Sequence, residues 1–537
     1  STQSVALPLS GGGWAIDTPG IRSFGLAHVT PDTVLDVFDD LSAAIEDCPR
    51  GCTHLGPPAD PECALDKLEG ASHRRAMAVR SLLATPQDNE DWELDIDRDW
   101  RRVNEGTAGR RGGGADTDRP ITIGGHGGVP GLLRLCFWTL IVGIATGLFA
   151  ALLVVQLHAI ERLVFGAHEG ETVMFTDGTS GLQRFTGITV AGLIAGVAWY
   201  LVRRLGRPIR SVEEGMEGQR MPVLETLVNV FLQMGTVAAG ASIGRENAPR
   251  EAGAMMASQL SSRLGIDRGT TRVLVAAAAG AGLGAIYHIP LAGAVFAMEI
   301  LLATITVRSV MIVLACSAVA TTTAGVVVGD QPLYSTVSLS EGFGNLTVAV
   351  GLGIVCGIAG LAFRYAVSRA EGSTPKGAHI LWALPLAFAT VGAMSLYLPE
   401  VLGNGRFAAT SVLEETPVWT FALALVVAKI VAVLITLRSG AVGGVLTPGF
   451  AIGALLGYLV GFVVQPIFPG IPPADFALLG AAAFLSTSMA APLFALIVTV
   501  EFTGQSSEAY LALFLACATA ALTGEILRSA LSLPKNI

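Results

Sequence analysis

The stretch Gly240-Ala-Ser-Ile-Gly-Arg-Glu-Asn-Ala-Pro-Arg-Glu-Ala-Gly-Ala254 lies near the middle of the chain. It sets four charged side chains among glycines and alanines, between long apolar runs: Arg245, Glu246, Arg250 and Glu251. Charged groups at membrane depth are costly, and those that persist line a pathway or pair with one another. The glycines and Pro249 predict a broken helix, which a bilayer tolerates only where the backbone is buried in protein or lines a wet cavity. A helix beginning near Glu246 would turn free N–H groups toward that cavity, which favours an anion. The alternative is an interfacial loop closed by a local Arg–Glu pair.

The composition is that of a polytopic membrane protein rather than a soluble enzyme. Of 537 residues, 52% are hydrophobic and only 14% are charged. The formal net charge of −9 belongs to residues 1–128, because residues 129–537 carry equal numbers of acidic and basic side chains. This contrast predicts at least two domains. The opening Ser1-Thr-Gln-Ser is polar and lacks Met, so we expect no signal peptide and a start partway through a longer parent.

The first quarter contains a cluster of potential metal ligands. Three thiols and an imidazole could close a tetrahedral zinc site, with free cytosolic thiols as the alternative. These residues are Cys48, Cys52, His54 and Cys63. Upstream, a short strand is predicted to lead into Asp17-Thr18-Pro19-Gly20. Over about residues 1–85 these features resemble the C-terminal part of the circularly permuted, ribosome-small-subunit-dependent GTPase family, in which a zinc helical module follows a DxPG motif.

That resemblance covers only a fragment of the GTPase family. No G-x-x-x-x-G-K-[ST] phosphate-binding loop precedes it, so we expect no GTP hydrolysis and no enzyme activity. The negative charge of this quarter argues against strong binding to nucleic acid. Residues 86–130 are acidic and then rich in Gly and Arg, lack apolar periodicity, and predict a disordered linker.

Apolar segments recur from Gly131 onward. Several are too short, or too interrupted by Gly and Pro, to be plain spans of about 20 residues, which predicts tilted and re-entrant helices. Four arginines crowd the end of the second segment: Arg203, Arg204, Arg207 and Arg210. By the positive-inside tendency, this loop and the first quarter are cytosolic.

The membrane body repeats itself. A broken helix start recurs in the second half, and in both halves a glutamate follows a proline by nine residues, at an offset of 202. Paired interruptions in two halves are typical of inverted-repeat transporters with a substrate site at the membrane midplane. The landmarks are Gly244–Pro249, Pro290 and Glu299 in residues 131–340, and Gly443–Pro448, Pro492 and Glu501 in residues 341–530.

Over about residues 130–530 these features resemble the CLC family of chloride channels and chloride/proton antiporters. Gly244-Arg245-Glu246 followed by Pro249 is similar to the family's GREGP motif, and Gly443-Gly-Val-Leu-Thr-Pro448 is similar to its GxFxP stretch. The resemblance implies an all-α polytopic membrane protein, a CLC-type inverted repeat of tilted and broken helices over residues 131–530, here preceded by a small zinc-binding helical segment. It also implies a homodimer in a bacterial-type plasma membrane, with one anion pathway in each subunit.

The resemblance assigns Glu246 as the gate, whose carboxylate competes with the anion for one site and yields when protonated. Backbone N–H groups at a helix start bind chloride weakly enough to release it. We favour a bracing role for Arg245, and we favour Ser211 over Arg207 as the inner-site residue because a fixed guanidinium would hold chloride too tightly. The residues expected to bind the anion are Gly444, Val445, Leu446, Ser211, Arg245 and Asn247.

Two departures from the family concern protons. Counting from Pro290, the internal proton-transfer glutamate of the antiporters falls at Ile300, one residue past Glu299, and isoleucine carries no proton. The family's late, anion-contacting tyrosine is not evident. Glu299 could substitute as a proton donor, but Glu299 and Glu501 occupy equivalent repeat positions and are more economically interpreted as a structural pair.

The sequence therefore predicts glutamate-gated chloride transport, channel-like or weakly coupled to protons, without a cofactor for transport. Chloride/proton antiport along a non-standard proton path and fluoride export stay open as alternatives. From a different class, the first quarter could make the chain a membrane-tethered ribosome-assembly factor, although the missing phosphate-binding loop counts against this.

Overall fold

The computed structural model describes residues 129–533, except 168–177, 304, 336–337 and 340–341, together with short stretches between residues 5 and 83. The chain divides into two compact units, Ser1–Thr117 and Asp118–Ile537. Nearly all of the predicted linker, residues 86–130, lies outside the described residues. The Thr18-Pro19-Gly20 turn lies outside them completely.

The first unit pairs two short strands and packs two helices around a small core. Strand β1, Val5–Pro8, runs antiparallel to β2, Trp14–Asp17, so the predicted strand before Asp17 is present. Helices α1, Asp39–Ile45, and α2, Gly70–Leu83, flank a 3-10 turn over Ala64–Lys67. Its small hydrophobic core consists of Leu41, Cys63, Leu65, Ala76 and Val79.

The second unit is helical throughout its described residues. Nine of its described helices are long and apolar enough to cross a membrane, and three shorter apolar helices accompany them. A π-helix, Ala297–Leu302, continues α9, and 3-10 turns span Gly377–His379, Pro399–Val401 and Ser507–Ala509. In chain order the α-helices are α3 Val129–Phe165, α4 Gly181–Leu205, α5 Val212–Met216, α6 Val223–Ala238, α7 Asn247–Leu264, α8 Arg268–Tyr287, α9 Pro290–Phe296, α10 Val307–Val328, α11 Phe343–Glu371, α12 Ile380–Met394, α13 Arg406–Leu413, α14 Trp419–Arg438, α15 Leu446–Val464, α16 Pro473–Ser488, α17 Pro492–Thr503 and α18 Tyr510–Ala530.

Glycine allows the helices of each half to pack backbone to backbone. A Cβ on Gly282 of α8 would lie 2.2 Å from the carbonyl oxygen of Pro249 in α7, and a Cβ on Gly457 of α15 would lie 2.1 Å from that of Phe476 in α16. Close approach of this kind is the main source of helix association in lipid, where the hydrophobic effect between helices is absent. The Gly/Ala-rich sequence therefore encodes tight helix pairs in both halves.

Prolines and left-handed residues break the apolar segments. The apolar run over residues 475–500 forms two helices, because Ala490 adopts a φ of 50° and Pro492 opens α17. Proline has no N–H to continue a helix but suits the first helical position. Pro290 opens α9 in the same way.

Glu299 and Glu501 form a reciprocal clasp between the halves. Glu299 accepts hydrogen bonds from the N–H groups of the two residues after Pro492, at 3.1 and 2.7 Å. Glu501 accepts hydrogen bonds from the two residues after Pro290, at 3.1 and 2.6 Å. Each carboxylate thus satisfies free N–H groups at the helix start of the other half. This geometry is that of a structural pair.

Candidate functional site

Two loops meet at the centre of the second unit. One joins α6 to α7, turns at Gly240 with a φ of 104°, and carries Gly244. The other joins α14 to α15, turns at Gly440 with a φ of 95°, and carries Gly444. Gly244 N–H donates to the Gly444 carbonyl at 2.7 Å, and Gly444 N–H donates to the Gly244 carbonyl at 3.1 Å. This two-bond bridge brings the two sequence motifs, 200 residues apart, into one site.

The carboxylate of Glu246 fills the space between the two helix starts. The side chain is 2% exposed, and its Oε1 accepts a hydrogen bond from the backbone N–H of Leu446 at 2.7 Å. Leu446 is the first residue of α15, whose N-terminal N–H groups and dipole favour negative charge. A carboxylate oxygen therefore takes up a backbone donor at the end of α15 that favours negative charge.

Both bridging glycines are needed by this carboxylate. A Cβ on Gly244 would lie 2.1 Å from Glu246 Oε2, and a Cβ on Gly444 would lie 1.9 Å from Glu246 Oε1. Neither glycine has a positive φ, so the space taken by the carboxylate, and not the backbone conformation, excludes a side chain here. The sequence predicted glycine for helix breaking, and the structure shows that glycine also makes room for the Glu246 carboxylate.

Tyr287, which the sequence analysis did not single out, completes the site. Its hydroxyl donates to Glu246 Oε2 at 3.2 Å and lies 3.3 Å from Thr447 Oγ1. The guanidinium of Arg245 lies over the same ring, 4.7 Å from its centroid, as expected for a cation–π contact. This position suits the bracing role predicted for Arg245. The sequence feature that could have indicated Tyr287 is the position of its hydroxyl just after the Ala/Gly-rich run Ala276–Ala285.

A buried lysine of α14 supports the loop between α6 and α7. Lys429 is fully buried, and its ammonium group donates to the carbonyl oxygens of Val401 and Gly403 at 2.9 and 2.7 Å. Gly403 N–H in turn donates to the Gly240 carbonyl at 2.9 Å. The carbonyl dipoles thus offset the cost of burying this charge. They lie next to Gly240, where the chain turns into the loop that carries Gly244.

Two residues expected to bind the anion make hydrogen bonds within the protein. Asn247 donates both hydrogens of its side-chain amide, to Gln233 at 3.0 Å and to Glu251 at 2.8 Å. The side-chain amide of Asn247 is thus engaged, and an anion contact at this residue would use its backbone N–H. Ser211 is exposed and caps α5, accepting the N–H of Glu214 at 3.2 Å.

The two positions of the expected proton path differ in environment. Glu299 lies in the π-helix and is held by the clasp described above. Ile300 is partly buried and packs against the hydrophobic core. Ile300 has no titratable group, and both oxygens of Glu299 are occupied as hydrogen-bond acceptors.

The first unit gathers the four predicted metal ligands. The sulfur and nitrogen atoms of Cys48, Cys52, His54 and Cys63 all lie within 4.8 Å of one another. Cys63 and His54 are buried, and the Ala64 N–H donates to Cys48 Sγ at 3.3 Å. Burial raises the pKa of the Cys48 thiol and raises that of Cys52 to about 12. A divalent cation would offset that burial by stabilising the thiolates.

The second unit defines a class of protein. Two broken helix starts, one from each half, are joined by the Gly244–Gly444 bridge, and the one in the second half donates its Leu446 N–H to a buried carboxylate. Such paired interruptions are the signature of a membrane transporter with a central ion site. A family profile described as "Voltage gated chloride channel" matches residues 191–525. The chain therefore belongs to the voltage-gated chloride channel (CLC) family.

Curated relatives agree with this assignment. A ClcB-like chloride channel protein of Ralstonia nicotianae is 32% identical over 354 residues, which cover 62% of this chain and 81% of the relative. The voltage-gated ClC-type chloride channel ClcB of Salmonella typhimurium is 30% identical over 411 residues, which cover 73% of this chain and 97% of the relative.

Solved structures share the fold. A slow cyanobacterial Cl⁻/H⁺ antiporter matches with a TM-score of 0.64 and 21% identity, over 73% of this chain and 95% of that protein. A CLC-type fluoride/proton antiporter matches with a TM-score of 0.58 and 19% identity, over 74% of this chain and 98% of that protein. At these identities the likeness establishes the fold alone.

Proposed function

We propose that this protein transports chloride through a pathway gated by Glu246. The observation that carries the proposal is the 2.7 Å hydrogen bond from Leu446 N–H to Glu246 Oε1. In this closed arrangement the carboxylate takes the donor that would otherwise bind the anion. Protonation of Glu246 removes its charge and weakens its hold on that N–H, so acid favours opening.

Chloride is the anion that the site chemistry favours. The donors that we assign to the anion are the backbone N–H groups of Leu446 and Val445 and the hydroxyls of Tyr287 and Thr447. Gly444 N–H is held in the bridge to Gly244, so Gly444 serves the site through its lack of a side chain. Neutral dipoles at a helix start bind a monovalent anion without holding it as tightly as a fixed cation would. The ClcB relatives, which are described as chloride channels, support the same ion. Fluoride export is the alternative, and halide competition decides between them.

Beyond the gate, three further features belong to the proposal. The protein is a homodimer in a bacterial-type plasma membrane with a cytosolic first unit, as the family resemblance implies. The Cys48, Cys52, His54 and Cys63 cluster binds zinc, since three sulfurs and one nitrogen form a tetrahedral donor set for that ion. The first unit is a remnant similar to the zinc module of the circularly permuted GTPases, and it carries no enzyme activity.

Chloride efflux from proteoliposomes tests the gate. Glu246→Gln keeps the size of the side chain but removes its charge, so flux at neutral pH should rise and its dependence on pH should flatten. Glu525→Gln is the matched control, because Glu525 is exposed and pairs only locally with Arg528 on α18. Wild-type flux and pH dependence in a folded Glu246→Gln protein would exclude Glu246 as the gate.

A further inference from the structure

A second carboxylate follows the gate on the same helix. Glu251 lies five residues after Glu246 in α7, about 7.5 Å further along the helix axis. Its Oε2 accepts hydrogen bonds from the amides of Asn229 and Gln233 at 2.7 and 3.0 Å, and its Oε1 accepts one from Asn247 at 2.8 Å. We call these three side chains the amide cluster.

No cation is hydrogen-bonded to Glu251 among the described residues. The nearest, Arg250, stacks its guanidinium over the ring of Phe296, 4.3 Å from the centroid. Arg250 lies within electrostatic range of Glu251, Glu246 and Glu213. The facing surface of α8 is apolar where it meets α7, with Gly282 and Ala278 in backbone contact. Arg250 is therefore the charged group that acts on this carboxylate among the described residues, and Arg250 is in turn shared with Glu246 and Glu213.

Amide partners leave Glu251 free to change its protonation state. A buried carboxylate bonded to arginine is fixed as an anion, because its protonation would leave the arginine as a buried cation without a counter-charge. A side-chain amide carries both donors and an acceptor, so a rotated amide can accept the proton of a neutral carboxyl group. A residue outside the amide cluster fixes the orientation of Asn229, since Trp199 Nε1 donates to Asn229 Oδ1 at 2.9 Å. Both states of Glu251 can thus be satisfied by the same neighbours.

Glu251 lies on the cytoplasmic side of the gate. The cytoplasmic end of the unit is marked by the arginines that close α4 and follow it, as the positive-inside tendency predicts. The loop after α5 contacts the far end of α7, where Ser258 Oγ donates to the Gln219 carbonyl at 3.1 Å and the Gln259 amide donates to the Met221 carbonyl. The helix therefore runs from Glu246 past Glu251 to the cytoplasmic surface, where Glu213 is exposed.

We propose that Glu251 carries protons between the cytoplasm and Glu246, and so couples chloride transport to protons. The proposal rests on the proposed gating by Glu246 and supplies the proton carrier that Ile300 cannot provide. A proton passes from the Glu251 carboxyl group through water to the Glu246 carboxylate, which leaves Glu251 ionised and Glu246 neutral. Glu246 then releases Leu446 N–H to chloride. Glu251 is recharged from the cytoplasm past Glu213.

The test measures chloride and proton movement together in proteoliposomes. For the wild type, a chloride gradient should drive protons uphill. Glu251→Gln preserves the size of the side chain but removes the titratable group, and its NH2 must find an acceptor on a rotated amide of the cluster. Proton movement should fall about 100-fold or more, the low end of what a positioned proton donor contributes. Chloride movement should persist in this variant. Glu251→Asp, which keeps the carboxyl group, should restore proton movement, and Glu525→Gln should match the wild type.

The possible results distinguish proton transfer by Glu251 from chloride gating by Glu246. Wild-type chloride flux without proton movement would overturn the role of Glu251 and leave glutamate-gated transport standing. Coupled protons in Glu251→Gln would also overturn it, and would reduce the amide cluster to a structural link between α4, α6 and α7. Absence of chloride flux in folded wild-type protein would overturn both proposals. Should Glu251→Gln fail to fold, Glu213→Gln on the exposed surface must lower the ratio of protons to chloride, and an unchanged ratio would overturn the proposal.

Discussion

Adding one methyl group opposite the gate should open the pathway without altering the carboxylate itself. In Gly444→Ala the new Cβ would lie 1.9 Å from Glu246 Oε1 and 2.2 Å from Cδ. Gly444 has no positive φ, so alanine is compatible with its backbone. The clash falls on the flexible end of a side chain, and the carboxylate must leave the Leu446 N–H.

The magnitude follows from the hydrogen bond that is lost. A hydrogen bond to a charged group contributes about 1.5–3 kcal/mol. Since about 1.4 kcal/mol corresponds to a factor of ten, the ratio of open to closed states should rise roughly 10- to 100-fold. Chloride efflux at neutral pH should increase toward that of Glu246→Gln and lose most of its pH dependence. Gly449→Ala on α15 is the matched control, because the nearest atom to its Cβ would be Leu485 Cδ2 at 3.2 Å, and Glu246 is not among its three nearest neighbours within 4 Å.

A double-mutant cycle shows whether the carboxylate mediates the effect. In a Glu246→Ala background the added methyl group has no carboxylate to displace, so Gly444→Ala should change flux no further. A further change in that background would mean that the substitution acts through the Gly244–Gly444 bridge. Unchanged efflux in folded Gly444→Ala alone would refute the arrangement of the gate described here.

Three further outcomes are expected. Tyr287→Phe removes a neutral hydrogen bond to Glu246, worth about 0.5–1.5 kcal/mol, and should raise efflux at neutral pH about two- to tenfold; wild-type efflux would contradict its role in holding the gate closed. Glu299→Gln should lower the thermal unfolding midpoint by disrupting the clasp while leaving the proton-to-chloride ratio unchanged; a lost proton current would reinstate Glu299 as a proton donor. Chelation of zinc, or Cys63→Ser, should reduce the helical circular dichroism of the first unit and leave efflux intact; abolished efflux would show that the two units are functionally coupled.

The sequence by itself determined the class of protein and singled out Glu246 as the gate that we propose. Apolar segments of membrane length, a repeat at an offset of 202 residues and the two broken helix starts are local patterns, because hydrophobicity and helix breaking act within a few residues. Together with the resemblance to the CLC family, they sufficed to single out Glu246 and the start of α15 as parts of one site. The position of Glu299 and Glu501 at equivalent points of the repeat likewise indicated a structural pair.

The tertiary structure decided which side chains surround the gate. Tyr287 lies 41 residues from Glu246 in sequence, and Leu446 lies 200 residues away, so no local pattern records that their atoms meet at 3.2 and 2.7 Å. The sequence also gave no sign that the amide of Asn247 turns away from the anion toward Glu251. Local patterns fix where helices begin and end, but the direction of a buried polar side chain depends on the partners that distant helices bring to it.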